Sequence, residues 1–427
     1  LENNMNLLIR NIRINDPASP FHGKETDVMV RQGIITAIQS KIEASNDVEV
    51  IDGKGGYLSP GWFDMRVSFR EPGDEQKETI QSGQDAAAQG GFTGVLTMPS
   101  THPPVQTNAD VSFIRNRSAS HLVDVYPAGV LTENREGKDL SGMYDMKLAG
   151  AVAFTDDKKA IRNSGVMLRA MQYAGNMQSA VISFADDPGL TAGLQANESP
   201  ATTLLGFKGA PSIAEEIGIQ RDLSLVAYSS MPVHISGVST KEAVTRLREA
   251  RKSGLPVTSE VYIYHLLLDD TALNGFSSHY KVKPPLRSAE DVMALREAVL
   301  DGTIDVVCSD HSPEDIESKD VEFDYAAYGM IGLESFYGVL QEAFNGKLTS
   351  ERIYELLVAN PRKILGLKIP SINQNETANF TLYHPETEWE FTKQHIKSKS
   401  GNTPFLDRKF KGKVIACGNA SRFVKCL

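Results

Sequence analysis

The sequence predicts an α/β fold: a (β/α)8 TIM-type barrel carrying a small β-sandwich domain built from both chain termini. Three observations predict it. Residues 5–55 hold short runs that alternate apolar and polar side chains, as in "NLLIRNIRI" and "DVMVRQGIITAIQ", the period of half-buried strands. Between residues 56 and 370, short apolar runs alternate with helical segments, the pattern of parallel strands joined by right-handed crossovers. Over residues 371–427 strands return in "ANFTLYHP", "EWEFT" and "GKVIACG". The simplest arrangement pairs 5–55 with 371–427 in one β domain and inserts the barrel, 56–370, between them.

In chain order, Gly33 marks a hairpin turn between two N-terminal strands. The first barrel strand lies in "GWFDMRVSFREPG", and the helical "KETIQSGQDAAAQGG" leads to "GVLTMP". "AVAFTDD" precedes the helix "AIRNSGVMLRAMQYAGN", and "SAVISFADD" is a further strand. "PVHISGVST" precedes "KEAVTRLREARKSG", which leads to "PVTSEVYIY". "AEDVMALREAVLDG" leads into "IDVVCSDHSP", and "GLESFYGVLQEAF" and "SERIYELLVANPRKILG" close the region. That number of units suits a closed barrel better than an open sheet.

Bulk properties narrow the function. A hydrophobic content of 41% and a charged content of 23% are those of a globular protein. The net charge of −10 argues against general affinity for nucleic acid or an anionic membrane, so neither is expected as a partner. Cys308, Cys417 and Cys426 are too few to form a disulfide framework and lack metal-finger spacing, which makes a cytoplasmic location the expectation. No apolar run approaches the ~18 residues of a membrane span. The N-terminus lacks the regions of a signal peptide, and Leu1–Asn4 read as an upstream extension before Met5.

Barrel enzymes carry their chemistry at the C-terminal ends of strands. At the end of the first strand, Asp64, Arg66, Ser68 and Arg70 occupy alternate positions and so share a face, a polar and cationic cluster at the mouth of a buried strand. Other strand ends carry Ser100, the Asp156-Asp157 pair, Phe184, His234 with Ser236 and Gly237, Tyr262 with Tyr264 and His265, and Asp310-His311. A metal-assisted hydrolase needs several neutral histidines or carboxylates converging there; carboxylates are present and histidines are few. Each candidate has a plainer alternative. Asp310-His311 is either a site pair or a hydrogen-bonded loop cap. His234 reads more simply as a core histidine. Asp156-Asp157 either face the site or begin the next helix, where carboxylates suit the dipole. Arg70 grips an anion or decorates a turn. The basic run "KVKPPLR", 281–287, holds an anion or is a solvated loop. No G-x-S-x-G elbow is present, Cys308 reads as buried filler, and "GKGG" lacks phosphate-loop spacing.

The segments "SPGWFDMRVSFREPGDEQKETIQSGQDAAAQGGFTGVLTMPSTHPPV", "HISGVSTKEAV", "VTSEVYIYHLLL", "YKVKPPLRS", "GTIDVVCSDHSP", "YGMIGLESFYGVL", and "SGNTPF" followed by "FKGKV", resemble bacterial dihydroorotases of the amidohydrolase superfamily, in order from Met5 to the end. The resemblance implies an amidohydrolase barrel with a β domain made from both termini. It also implies two zinc-binding histidines in a first-strand motif Asp-x-His-x-His, where this chain has Arg66 and Ser68. A third and a fourth metal histidine align with Phe184 and Gly237. The carboxylates survive: Asp156 or Asp157 matches the bridging ligand, and Asp310 the ligand that shuttles protons. Among substrate positions, Arg70 matches the arginine that grips the substrate carboxylate. Ser100, Lys283 and Glu314 stand where the family has asparagine, asparagine and histidine.

The resemblance therefore points to a pyrimidine-synthesis protein whose metal site has degenerated, similar in pattern to inactive homologues that associate with aspartate transcarbamoylase. No cofactor is expected. Arg66, a permanent cation with five donors, is expected to take the space of the metals and bridge Asp310 to the Asp156-Asp157 pair. Two other readings stand beside it. One is an active dihydroorotase, or another cyclic-amide hydrolase, that converts dihydroorotate to N-carbamoyl-aspartate at an altered zinc centre using His265, His311, Asp156, Asp157 and Asp310. The other is a small-carboxylate binding protein using Arg70 and Lys283. A homodimer is a further expectation.

Overall fold

The computed structural model describes residues 5–427; Leu1–Asn4, and the extension read in them, lie outside the described residues. Eight strands form the barrel sheet: Trp62–Val67, Phe92–Thr97, Asp124–Gly129, Ala153–Phe154, Ala180–Phe184, Val233–Ser236, Val257–Tyr262 and Val306–Cys308. Every ladder between neighbours is parallel. A helix follows each strand, from Ile80–Gln89 through Asn108–Ser118, Met143–Ala149, Ser164–Asn176, Ile213–Ser229, Lys241–Lys252 and Ala289–Leu300 to Phe336–Phe344. Strands buried on both faces must be apolar nearly throughout, which is why they stand out as runs of Val, Ile, Leu and Phe. The strand Asp124–Gly129 is absent from the sequence reading because Asp124 and Pro127 interrupt its apolar run.

The first and last strands meet at a seam. A single parallel bridge joins Val67 to His311, and the Ser68 N–H donates to the His311 carbonyl at 2.8 Å. Asp64 reinforces the seam by accepting from the Ser309 N–H at 3.0 Å.

The chain ends meet in a second, mixed sheet. Its strands Leu7–Ile14, Glu25–Arg31, Ile34–Gln39, Glu49–Asp52 and Tyr57–Pro60 join Asn379–Glu390, Lys409–Asn419 and Arg422–Lys425. The two ends connect where Tyr57–Pro60 pairs antiparallel with Asn379–Glu390. The apolar side chains of the alternating pattern, among them Leu7, Ile9, Val28, Val30, Phe380 and Leu382, form its own core. The hairpin between Glu25–Arg31 and Ile34–Gln39 turns on Gln32 and Gly33, both at positive φ (50° and 75°). A Cβ on Gly33 would lie 2.3 Å from the Ala420 carbonyl oxygen, so only glycine fits.

Trp62 couples the two sheets. Fully buried, it packs on Tyr337 and Tyr383 at 5.3 and 5.1 Å between centroids and donates from Nε1 to Ser59 Oγ at 3.1 Å. That anchor fixes the entry of the first barrel strand and, two and four residues on, the placement of Asp64 and Arg66.

Candidate functional site at the barrel mouth

The alternation of the first strand sends Asp64 and Arg66 into the barrel. Arg66 is only 2% exposed, yet every polar end of its side chain is engaged. Nε donates to Asp310 Oδ1 at 2.9 Å, Nη2 pairs with Asp157 Oδ1, and Nη1 donates to Ser236 Oγ at 3.1 Å. The guanidinium also lies over the Tyr262 ring, 5.2 Å from its centroid. Burial alone would favour its neutral form, but Tyr262, Asp157, Asp310 and Glu260 hold it firmly protonated.

Both partner carboxylates sit at strand ends with left-handed backbones, φ 56° at Asp157 and 50° at Asp310. Non-glycine residues adopt this region rarely, and here it turns both acids toward the axis. Burial raises the pKa of Asp157, but Arg66, Arg135 and Lys158 outweigh it and hold the carboxyl well below the usual range. Arg135 stands 3.7 Å from its second oxygen, and the Ser100 hydroxyl is a further hydrogen-bonding neighbour. Asp310 is fully committed: Oδ1 takes Arg66, while Oδ2 accepts from Lys158 Nζ and the Tyr264 hydroxyl, each at 2.6 Å. Both of its oxygens are thus engaged, by two cations and a phenol.

A second buried group lies below. Glu260 accepts from Ser236, from Cys308 at 3.1 Å and from His234 Nε2 at 3.1 Å. Burial raises its pKa, yet His234, Arg66 and Ser236 carry it below its ordinary value. His234 is thus a core histidine, bonded to Glu260 and, through Nδ1, to Thr258 at 2.8 Å. Asp64 lacks a cation, and burial pushes it up to about 7 despite its bonds from the backbone and side chain of Ser309 and from Arg66 N–H.

The remaining candidates separate cleanly. Asp156 turns away, accepting from the Leu131 and Thr132 N–H groups and the Thr132 hydroxyl, and so braces a loop. Neither aspartate begins the next helix, which Asn163 caps. Arg70 does not face an open anion site: Nε donates to the Pro313 carbonyl at 3.0 Å and Nη2 to Glu314 at 2.6 Å. Lys77 stands 2.7 Å from the other Glu314 oxygen. Phe184 and Lys283 line a cavity of about 470 Å³ beside the mouth, with Lys283 Nζ 5.3 Å from the Phe184 ring centroid. "KVKPPLR" is no solvated loop at its ends. Lys281 and Arg287 are buried, Lys281 on the carbonyls of Phe323 and Asp324, Arg287 on Ser239, Asn197 and Ala210. His311 is buried against Glu78 at 3.4 Å, outside the Arg66 cluster. His265, bonded to the Pro285 carbonyl, is pushed down to about 3 by burial.

Lys158, Arg135 and Glu260 have no role in the sequence reading. A period-two reading of "EVY" would have faced Glu260 inward with Tyr262. Lys158 follows Asp157 directly, and only the left-handed turn at Asp157 reveals where its amine goes.

The parallel eight-stranded barrel, with its polar cluster at the C-terminal strand ends and a sheet from both termini, defines an amidohydrolase-type protein. It superposes on the L-hydantoinase (dihydropyrimidinase) of Arthrobacter aurescens with a TM-score of 0.86 at 22% identity, covering 99% of this chain and 96% of that one. The dihydropyrimidinase of Brevibacillus agri gives 0.82 at 21% identity, covering 99% of this chain and 95% of that one. These likenesses establish the fold. A family model described as "Dihydro-orotase-like" matches residues 55–243. The dihydroorotase of Pelotomaculum thermopropionicum is 41% identical over 412 residues, 96% of each chain. That of Pelobacter propionicus is 40% identical over 423 residues, 98% of this chain and 99% of the relative. The chain belongs to the dihydroorotase family.

The zinc that the family resemblance implies does not fit these residues. Arg66 places a permanent cation between the two carboxylates, and Phe184 offers only hydrocarbon. Gly237 has no side chain, and a Cβ there would lie 2.8 Å from the Tyr262 hydroxyl. Among the described residues, no group of three or more His, Cys, Asp or Glu side chains is arranged to hold a metal ion.

Proposed function

We propose that this chain is a zinc-free, non-catalytic member of the dihydroorotase family, serving pyrimidine biosynthesis in the cytoplasm as a structural or regulatory companion of aspartate transcarbamoylase. The observation that carries the reading is the Arg66 guanidinium held between Asp310 and Asp157. Hydrolysis of a cyclic amide in this family's manner requires a water acidified from a pKa of 15.7 to about 7 and a Lewis acid on the ring carbonyl. A guanidinium supplies charge but neither of these. Asp310, the position aligned with the proton shuttle, is saturated by Arg66, Lys158 and Tyr264.

The test is metal analysis of protein purified without chelator, together with dihydroorotate turnover before and after adding Zn²⁺. The reading expects zinc far below one equivalent and no turnover in either state. Near-stoichiometric zinc accompanied by turnover would instead make the chain an active dihydroorotase. Co-purification with aspartate transcarbamoylase checks the scaffold role separately; a chain that ignores that enzyme at micromolar concentration removes this part of the proposal.

A further inference from the structure

At the opposite end of the barrel, a cavity of about 220 Å³ lies between the barrel floor and the terminal sheet. Its wall includes Arg362, from the helix Asn360–Ile364, which is 5% exposed. The guanidinium lies over the Phe63 ring at 5.3 Å, and Nη1 donates to the Val358 carbonyl at 3.2 Å. Among the described residues no carboxylate forms an ion pair with it. The contrast with Arg66 is direct: both arginines are buried, one ion-paired between two acids and one with Asp124 near it but with no carboxylate in ion-pair contact.

A buried guanidinium without a directly paired carboxylate is costly, by several kcal/mol in general. Burial pushes Arg362 down to about 10, with Tyr126, Asp124 and Tyr354 only partly offsetting it. The two acids that line the cavity have other partners. Asp124 accepts from Asn419 Nδ2 at 3.0 Å, and Glu376 stands 3.9 Å from Lys368 Nζ. Arg362 therefore has donors without protein partners beside a polar chamber that Tyr126 also lines, and the Tyr126 hydroxyl makes no hydrogen bond among the described residues. A carboxylate matches the planar fork of a guanidinium in two parallel hydrogen bonds. The volume falls below that of drug-sized pockets, which limits the ligand to a small one. Asp124 and Glu376 would repel a dianion more strongly than a monoanion.

We propose that this cavity is a binding site for a small monocarboxylate, whose oxygens take the Arg362 fork while Tyr126 donates to it from the side. The site is independent of the barrel mouth and of the proposed function.

Thermal melts and isothermal titration of the full chain with acetate and propionate, against chloride at matched ionic strength, test it. Carboxylate is expected to raise Tm saturably where chloride does not. Arg362→Met is expected to abolish the shift and to raise the unliganded Tm, because an unpaired buried charge has been removed. Tyr126→Phe, a milder change that keeps the ring, is expected to raise Kd about fivefold, one hydrogen bond's worth, and it carries the test if Arg362→Met does not fold. Absence of a saturable shift, a shift that survives Arg362→Met, an unchanged Kd in Tyr126→Phe, or a shift lost in Lys283→Met would each overturn the proposal. The last of these would move the ligand to the mouth.

Discussion

Arg66 and Asp310 are 244 residues apart in the chain and 2.9 Å apart in space, Nε to Oδ1, across the seam where the first and last barrel strands meet. The backbone supplies little there, one bridge between Val67 and His311. Side chains complete the closure: Asp64 to the Ser309 N–H, Arg66 to Asp310. The same guanidinium reaches Asp157 from the far wall of the barrel. One residue thus pins the strand ends that carry residues 66, 157 and 310, and shares with Lys158 and Arg135 the balancing of two buried acids.

Removing one partner of a buried pair leaves the other uncompensated, which costs about 3–5 kcal/mol. Arg66→Met removes one partner from each of two carboxylates while Lys158 and Arg135 stay beside them, so a loss of about 3 kcal/mol, the low end of that range, is expected in urea melts. Arg66→Lys keeps the charge but replaces a fork with a point donor that cannot span both acids, so a loss of about 1–3 kcal/mol is expected. Changing Asp157 alone to Asn in the Arg66→Met background should recover part of the stability, since Asp310 keeps Lys158. Wild-type stability in Arg66→Met would mean that the ion pairs do not hold the seam.

Acid should act on this cluster through two carboxylates whose pKa values are shifted in opposite directions. Asp157 is held below its unfolded value, so its contribution is present above about pH 4 and is lost as pH falls further. Asp64 is raised to about 7, so the folded chain holds a proton that the unfolded chain releases near pH 4, and stability falls as pH rises from about 4 to 7. The stability profile should therefore bend downward on both sides of about pH 4. Asp64→Asn should flatten the 4–7 limb while leaving the acid limb intact. Urea melts from pH 2 to 8 read both, and an unaltered 4–7 slope in Asp64→Asn would remove Asp64 as its cause.

Much of this site was legible in the sequence, and for a chemical reason. The family resemblance implies carboxylates at Asp156 or Asp157 and at Asp310 with the histidine ligands replaced; such acids need a cation between them, and Arg66 stood on the right face of the right strand. Part of what escaped depended on backbone turns that no period encodes. Asp156 and Asp157 are adjacent, yet the left-handed φ at 157 sends one to the axis and the other to a loop. Arg70, at φ 61°, likewise swings out to Glu314 instead of continuing the strand's inward series. The strand Asp124–Gly129 escaped because hydrophobic runs announce strands, and Asp124 and Pro127 break this one.

Placing a histidine at position 237, where the family resemblance implies one, should fail on its own. The backbone there has φ +72°, and a Cβ would press on Tyr262, a fully buried ring over which Arg66 lies. Gly237→Ala is expected to cost about 1–3 kcal/mol from strain and overlap. Pairing it with Tyr262→Phe should return part of that, because the nearest atom is the phenol oxygen. If the single variant melts with the parent, Tyr262 yields easily and the steric argument against a side chain at 237 falls.

The strongest check on the idea that Arg66 stands in for a metal is to take it away and supply ligands. Arg66→His with Ser68→His puts one imidazole on the first strand, in the place of the guanidinium between Asp157 and Asp310, and a second just past the strand's end. Two histidines and two carboxylates make a donor set of the kind zinc accepts. The parent should retain no zinc after gel filtration, and the double variant should retain close to one equivalent. Lys158 remains an obstacle, since its ammonium sits 2.6 Å from Asp310 Oδ2 and would repel the ion. Lys158→Met added to the double variant should therefore tighten zinc further, by about tenfold or more, whereas Lys158→Met alone should not create a site. Zinc retention by the parent, or indifference of the double variant to Lys158, would show that fixed cations are not what keeps the metal out.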